Sequence, residues 1–197
     1  MCGPSVRAGF FRDPHRMRRY ALLGVLGMVL WLGGCSSPAT VEGMSSLSSF
    51  GEAAAPSELH HAIELGTVTG GKPTNPLLTS DVGNAEFREA LAQSLRAAGI
   101  LATDGSPGAY LLEATLVGME LPTMGFDLSV TTRSTVDYRV SPTAGEGKSL
   151  HNVVTRPYTA TFSDALSGAE RVRLANEGAI RENIREFIDQ LIAFYSN

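Results

Sequence analysis

The sequence predicts an α+β protein, a two-layer sandwich in the order β-α-β-β-β-α, in which two helices cover one face of a four-stranded, mostly antiparallel sheet. The main observation is an alternation of apolar and polar side chains over residues 126–140, the period of a strand with one buried face. Residues 80–98 and 180–195 instead repeat apolar side chains every three or four positions, as amphipathic helices do. A sheet covered by helices on one side buries all of these apolar faces.

Alternation predicts the strands in chain order. They cover residues 62–68, 110–117, 126–140 and 154–162. The third strand has Phe126 and Leu128 on its buried face. Pro157 places part of the fourth strand at an edge or a bulge, because proline cannot donate a backbone hydrogen bond.

Helical spacing predicts the two helices. Phe87, Leu91 and Leu95 recur every four residues, and Gly99 follows where a helix commonly ends on a left-handed residue. In the second helix, apolar residues from Ile180 onward form one stripe, with charged residues opposite.

The first 34 residues predict an export signal rather than part of the folded domain. Arg16, Arg18 and Arg19 precede an apolar run of 12 residues, Ala21–Leu32, which is the order of a signal peptide. The run is shorter than the roughly 20 residues that a spanning helix needs. Met17 stands at the usual distance before the apolar run and is an alternative start of the chain.

The end of this signal resembles the lipobox that is recognised by prolipoprotein diacylglyceryl transferase and the lipoprotein signal peptidase. The residues that carry the resemblance are Leu32, Gly33, Gly34 and Cys35. It implies cleavage before Cys35, and a diacylglyceryl group and an N-linked acyl chain such as palmitate on that cysteine, with no other cofactor. An ordinary signal peptide with an incidental cysteine is the alternative.

The two residues after this cysteine bear on the destination. Ser36 and Ser37 stand where an aspartate favours retention in the inner membrane of enteric bacteria. By that resemblance we expect the chain at the periplasmic face of the outer membrane.

Cysteine content and charge exclude two classes of function. Cys2 precedes the cleavage site, so the mature chain has one cysteine, and we expect neither a disulfide nor thiol chemistry. Five of the 16 basic and one of the 20 acidic residues precede Cys35, which leaves 11 and 19 and a formal charge of −8. So acidic a surface disfavours nucleic acid.

Composition divides the mature chain into two parts. Residues 35–58 are rich in Ser, Ala, Gly and Pro, and predict a lipidated, flexible tether. Residues 59–197 contain all the predicted strands and helices, and predict a single periplasmic α+β domain.

Candidate catalytic and metal motifs are weak, and we predict neither kind of site. Residues 66–72 have the spacing of a phosphate-binding loop, but Pro73 stands where a Ser or Thr would bind magnesium. His60 and His61 are adjacent, so on a strand they point to opposite faces. No Gly-x-Ser-x-Gly motif accompanies the Ser, His and Asp residues.

The loop between the first strand and the first helix is a candidate partner-binding surface. It holds Thr74, Asn75, Pro76, Leu77 and Leu78, two leucines among polar residues. Leu77 and Leu78 plugging the edge of the sheet is the alternative.

The start of the second helix is another candidate, through Asn176 and Glu177. Gly178 follows them, and a glycine inside a helix costs about 1 kcal/mol relative to alanine. We therefore expect something to approach closely there, either the sheet or a partner.

Three stretches together resemble a family of poorly characterised proteobacterial outer-membrane lipoproteins. These are Thr74–Leu77, the long strand ending in Tyr138, and Arg173–Arg181, within a resemblance that covers most of the mature chain. More loosely, the element order is similar to YajG-like, penicillin-binding-protein-activator and LPS-assembly small lipoproteins. Such a resemblance implies an accessory role without catalytic residues.

The resulting hypothesis is a membrane-anchored, non-enzymatic accessory or docking module of the cell envelope, with another envelope protein as its partner. The alternative is a periplasmic carrier of a lipid or other apolar ligand, held between the sheet and the helix of Phe87 and Leu95. The least supported function is an enzyme such as an acyltransferase, because the sequence has no hexapeptide repeats.

Overall fold

The structure, a computed structural model, describes residues 37–47, 55–72, 82–103, 105–120 and 122–196. The predicted signal peptide, the lipobox residues Leu32–Cys35 and the loop Thr74–Leu78 lie outside the described residues. Within the described ranges, no helix combines the length and the apolar character needed to cross a bilayer.

Regular elements form where the periodicity predicts them, with additions. The described residues contain three α-helices, a short 3-10 helix and five strands. These are α1 (Val41–Met44), the 3-10 helix (Ser57–Leu59), β1 (Ile63–Thr69), α2 (Asn84–Ala97), β2 (Tyr110–Met119), β3 (Thr123–Met124), β4 (Val130–Pro142), β5 (Leu150–Ala160) and α3 (Gly168–Ser196).

The strands form one open, mixed sheet. β2 lies between β1 and β4, and β5 pairs with the other side of β4. β1 is parallel to β2, because α2 lies between them in the chain and returns it to the same end, whereas the remaining pairs are antiparallel. β5 pairs with β4 alone and in continuous register, so of the two predicted positions for Pro157 the edge is confirmed.

The α+β class is confirmed, but the predicted count of four strands is wrong. The stretch after β2, predicted as a break, includes β3, which pairs Thr123 with Thr131 and Met124 with Val130 of β4. A two-residue strand has no alternation to detect, so its pairing depends on the long strand beside it. The third helix, α1, lies in the segment predicted as a tether.

The core lies between the sheet and the helices α2 and α3. Alternate residues of β4, from Val130 to Val140, are buried on the helix side. Tyr138 stacks on Phe187 of α3, with ring centroids 3.9 Å apart. Phe87, Leu91 and Leu95 of α2 are fully buried, as the helical spacing predicts.

The alternation fails at the start of the long strand. Phe126 and Leu128, predicted on the buried face, are exposed, because β4 begins only at Val130 and residues 125–129 form a turn. Val130 and Ala160 mark the covered end of the sheet, where they pack against Ala175 of α3. Beyond this pair the chain leaves the strand, so Phe126 and Leu128 stay in solvent.

Close packing explains why a glycine occupies position 178 inside α3. A Cβ at this position would overlap the ring of Tyr158 on β5. The predicted close approach is therefore packing of α3 against the sheet, the simpler of the two interpretations.

Candidate functional site: the docked N-terminal segment

Residues 37–47, here called the N-terminal segment, lie folded against the domain. They include α1, whose N-cap Thr40 accepts a hydrogen bond from the backbone N–H of Gly43 at 3.1 Å. Ala39 and Met44 are buried in the main hydrophobic core. The predicted flexible tether therefore does not describe these residues. Small side chains allow the segment to fit a narrow groove. The same small residues are typical of disordered segments, so composition alone does not distinguish the two.

Glu177 of α3 is the main contact of this segment. Its Oε1 accepts hydrogen bonds from the backbone N–H of Thr40 at 2.7 Å and from the Thr40 hydroxyl at 3.0 Å. Only 2% of Glu177 is exposed. A buried carboxylate needs partners for its charge and lone pairs, and Thr40 supplies two hydrogen bonds.

Arg173 balances the charge of Glu177. Its Nη1 lies 2.5 Å from Glu177 Oε1, and its Nε and Nη2 bind Glu170. The hydrogen bond to Glu170, followed by the charges of both glutamates, raises the pKa of Arg173 above its ordinary value. The bond from Arg173 also lowers the pKa of Glu170. One arginine thus binds both carboxylates near the start of α3.

Arg181 holds the segment one helical turn further along α3. Its Nη1 donates to the carbonyl of Gly43 at 2.7 Å, and its guanidinium lies over the ring of Tyr158, 5.3 Å from the centroid. Gly43 must be small, because a Cβ there would overlap the carboxylate of Glu177. The close approach of α1 to α3 thus depends on a glycine.

The other side of the segment contacts α2. The backbone N–H of Ser46 donates to Ser94 Oγ at 2.9 Å, and the Ser45 hydroxyl donates to Gln93 Oε1 at 3.2 Å. Ser94 is fully buried and donates in turn to the carbonyl of Ala90. The segment therefore occupies a groove between α2 and α3, where its backbone polar groups find protein partners.

The contacts also define the direction of the chain. Thr40 meets Glu177 and Gly43 meets Arg181, so the segment runs parallel to α3. Residues before Thr40 consequently lead toward the N-terminal end of α3. Cys35 precedes Thr40 by five residues, a reach of at most about 18 Å for an extended chain.

The predicted partner-binding residues have different outcomes. Asn176 and Glu177 are buried, and Glu177 binds the chain's own Thr40. Thr74–Leu78 lie outside the described residues, so their role stays a prediction. Sequence reasoning missed Thr40 and Arg181, because their partners are 137 and 138 positions away. The one available signal was Glu177 itself, a carboxylate beside a packing glycine.

The face of the sheet turned away from the helices, here called the outer sheet face, is polar. A cleft of about 250 Å³ is lined by threonines and by Glu113, Asp137 and Arg139. Asp137 binds Arg139 at 3.2 Å and lies 3.0 Å from His151 Nε2. In the part of the chain that the structure describes, no three His, Cys, Asp or Glu residues are grouped to hold a metal ion.

Comparisons with known proteins give similar structures but no family. No protein-family model matches this chain, and no curated protein matches it. Similar solved structures include a presumed lipoprotein from Caulobacter crescentus, with 20% identity and a TM-score of 0.43 over 71% of this chain and 92% of that one. A minor lipoprotein from Acinetobacter baumannii has 13% identity and a TM-score of 0.42 over 66% and 94%. A protein from Xanthomonas campestris, of family DUF330, has 8% identity and a TM-score of 0.42 over 72% and 91%.

Proposed function

We propose that this protein is an accessory lipoprotein of the cell envelope. A lipid on Cys35 holds it at the periplasmic face of the outer membrane, and its domain docks another envelope protein without catalysing a reaction. The finer similarity to YajG-like, penicillin-binding-protein-activator or LPS-assembly lipoproteins stays a prediction.

The docked N-terminal segment is the observation that carries the proposal. Residues 37–47 follow Cys35 almost directly, and they are held by Glu177, Arg181 and Ser94 rather than left in solvent. Ordering a segment costs about 1–2 kcal/mol per residue in backbone entropy, so the specific contacts must offset that cost. A lipid attached beside such a segment holds the domain close to the bilayer.

The lining of the clefts favours a docking module over a carrier. A carrier needs an apolar cavity of several hundred Å³, whereas the cleft of about 520 Å³ between β1 and α2 is lined by the charged residues Glu64, Arg88 and Glu89 as well as by apolar ones. The cleft on the outer sheet face is lined mostly by polar groups instead. Polar, ordered surfaces of this kind suit contact with another protein.

Replacement of Cys35 tests the anchor. We expect Cys35→Ser to lose incorporation of labelled palmitate and to leave the membrane fraction, whereas Cys2→Ser keeps both, because Cys2 precedes the cleavage site. Mass spectrometry of the wild-type protein should find an acylated N-terminal cysteine. An unmodified thiol at Cys35 would overturn the proposal.

Crosslinking in intact cells tests docking. A photo-crosslinking residue at Leu77, or at Thr135 on the outer sheet face, should give one discrete adduct with an envelope protein that mass spectrometry identifies. Glu182, on the helix side of the domain, is the control position and should give none. Adducts with lipid alone would favour the carrier instead.

A further inference from the structure

Five large apolar side chains are exposed together at one end of the sheet. This group, here called the apolar tip, comprises Met124, Phe126, Leu128, Phe162 and Leu166. They share one end because Val130 begins β4 and pairs with Ala160, the last residue of β5. Soluble proteins expose single apolar residues commonly, but a contiguous group marks a contact surface.

The turn that carries Phe126 is held by its own hydrogen bonds. The backbone N–H of Gly125 donates to the carbonyl of Ser129 at 2.9 Å, and Asp127 accepts from the Ser129 hydroxyl at 2.7 Å. These bonds from Ser129 also lower the pKa of Asp127. Phe126 is therefore presented on an ordered hairpin, fully exposed, with no described side chain covering it.

Arg171 orders the other half of the tip. Its Nη1 donates to the carbonyls of Ala165 and Leu166 at 2.7 and 2.9 Å, and its guanidinium lies 5.5 Å from the centroid of the Phe162 ring. Leu166 remains 78% exposed. The residues before α3 are thus held in place with their apolar side chains in solvent.

The N-terminal segment runs toward the same end of the molecule. The N-terminal segment runs parallel to α3, so its earlier residues point toward Gly168, where α3 begins beside the tip. Glu177 lies nine residues after Gly168, about 14 Å along the helix axis at 1.5 Å per residue. Because Cys35 is within about 18 Å of Thr40, its lipid and the tip can enter one bilayer.

We propose that the apolar tip is a membrane-contact surface, whose side chains enter the acyl boundary of the bilayer that holds the Cys35 lipid. This inference rests on the proposed anchor. Charged groups near the tip include Asp127 and Asp164, which bind Ser129 and Thr161, and Arg171, which binds backbone carbonyls. These described groups form no basic patch for anionic lipids, so the proposed contact is apolar, as in shallow interfacial insertion.

The consequence is a defined orientation of the domain. A lipid alone gives one attachment point, about which the domain can rotate. The tip adds a second, so the outer sheet face stays clear of the bilayer and available to a partner.

A tryptophan placed in the tip tests the proposal. The chain has one tryptophan, Trp31, in the predicted signal, so the Phe126→Trp variant carries a single tryptophan in its mature lipidated form. In phosphatidylcholine vesicles with brominated acyl chains, we expect a blue-shifted emission that is strongly quenched and insensitive to salt. Val153→Trp, exposed on the outer sheet face, is the matched control and should emit as in water.

Two outcomes separate the tip from the anchor. If the acylated Phe126→Trp variant binds vesicles and its tryptophan emission is not quenched, the tip does not enter lipid and the proposal is overturned. A tip that binds another protein instead of lipid would give this result. If the protein does not bind the vesicles and mass spectrometry finds an unmodified Cys35, the proposed anchor is wrong.

Discussion

The carboxylate of Glu177 accepts two hydrogen bonds from Thr40, a residue 137 positions earlier in the chain. This contact joins the segment next to Cys35 to the longest helix of the domain. Through this contact, residues 37–47 belong to the folded domain, although composition predicts a tether there.

Replacing Glu177 should release the N-terminal segment. Glu177→Ala removes the oxygen that accepts both hydrogen bonds from Thr40 and leaves Arg173 with Glu170 alone, and hydrogen bonds to a charged group contribute about 1.5–3 kcal/mol. We expect the free energy of unfolding in urea to fall by about 2 kcal/mol. Proteolysis should then cleave within residues 37–47 at low protease concentration.

Two variants control this prediction. Glu177→Gln keeps an acceptor for Thr40 and should lose less stability. Glu182→Ala, on the exposed side of α3, should change unfolding by no more than about 0.5 kcal/mol. Equal effects of Glu177→Ala and Glu182→Ala would contradict the assigned contact.

Gly178 should not tolerate a side chain, although alanine is normally the better helix former. A Cβ there meets the Tyr158 ring, and overpacking of this kind costs about 1–3 kcal/mol. Gly118→Ala is the control, since nothing lies within 4 Å of its Cβ position. Thermal unfolding of both variants, and of Gly178→Ala in a Tyr158→Ala background, measures the contact. An equal loss in both backgrounds would exclude Tyr158 as the cause.

A buried polar network should also be sensitive. The Tyr138 hydroxyl donates to Asn183 Oδ1 at 3.0 Å, and Asn183 Nδ2 donates to the carbonyl of Val154 at 2.8 Å. Asn183→Ala leaves these groups unsatisfied, so we expect a loss of about 2–3 kcal/mol in urea unfolding. Tyr138→Phe should cost about 1 kcal/mol, because it removes one hydrogen bond and keeps the stack on Phe187. The reverse order of these losses would contradict the network.

Stability should decline in alkaline solution. Burial raises the pKa of Tyr138 above its ordinary value near 10, so the folded state binds the phenol proton more tightly than the unfolded state does. The stabilising contribution is complete below about pH 10 and is lost as pH rises from there toward the raised pKa. Urea midpoints measured from pH 8 to 11 should fall above about pH 10, and less steeply in Tyr138→Phe. A fall of the same steepness in that variant would assign the effect to other groups.

Local pattern was sufficient for the class of fold and for most strands and helices. Val130 to Val140 and Phe87 to Leu95 carry their period in the sequence, because the side chains that face a core repeat with the backbone geometry. Gly99, with φ 71°, likewise ends α2 where its position predicts. The same periodicity misplaced Phe126, because an apolar residue is buried only where another layer covers it.

Sequence alone therefore determined the α+β class, the strand and helix periods, and the resemblance to a lipidation signal at Cys35. Tertiary structure decided that β1 and β2 are parallel, that Glu177 faces Thr40 rather than solvent, and that the apolar tip is exposed. The physical reason is the sequence distance over which each interaction acts. Periodicity and capping depend on neighbours a few residues away, whereas burial of a carboxylate or exposure of a phenyl ring depends on which distant segment lies against it.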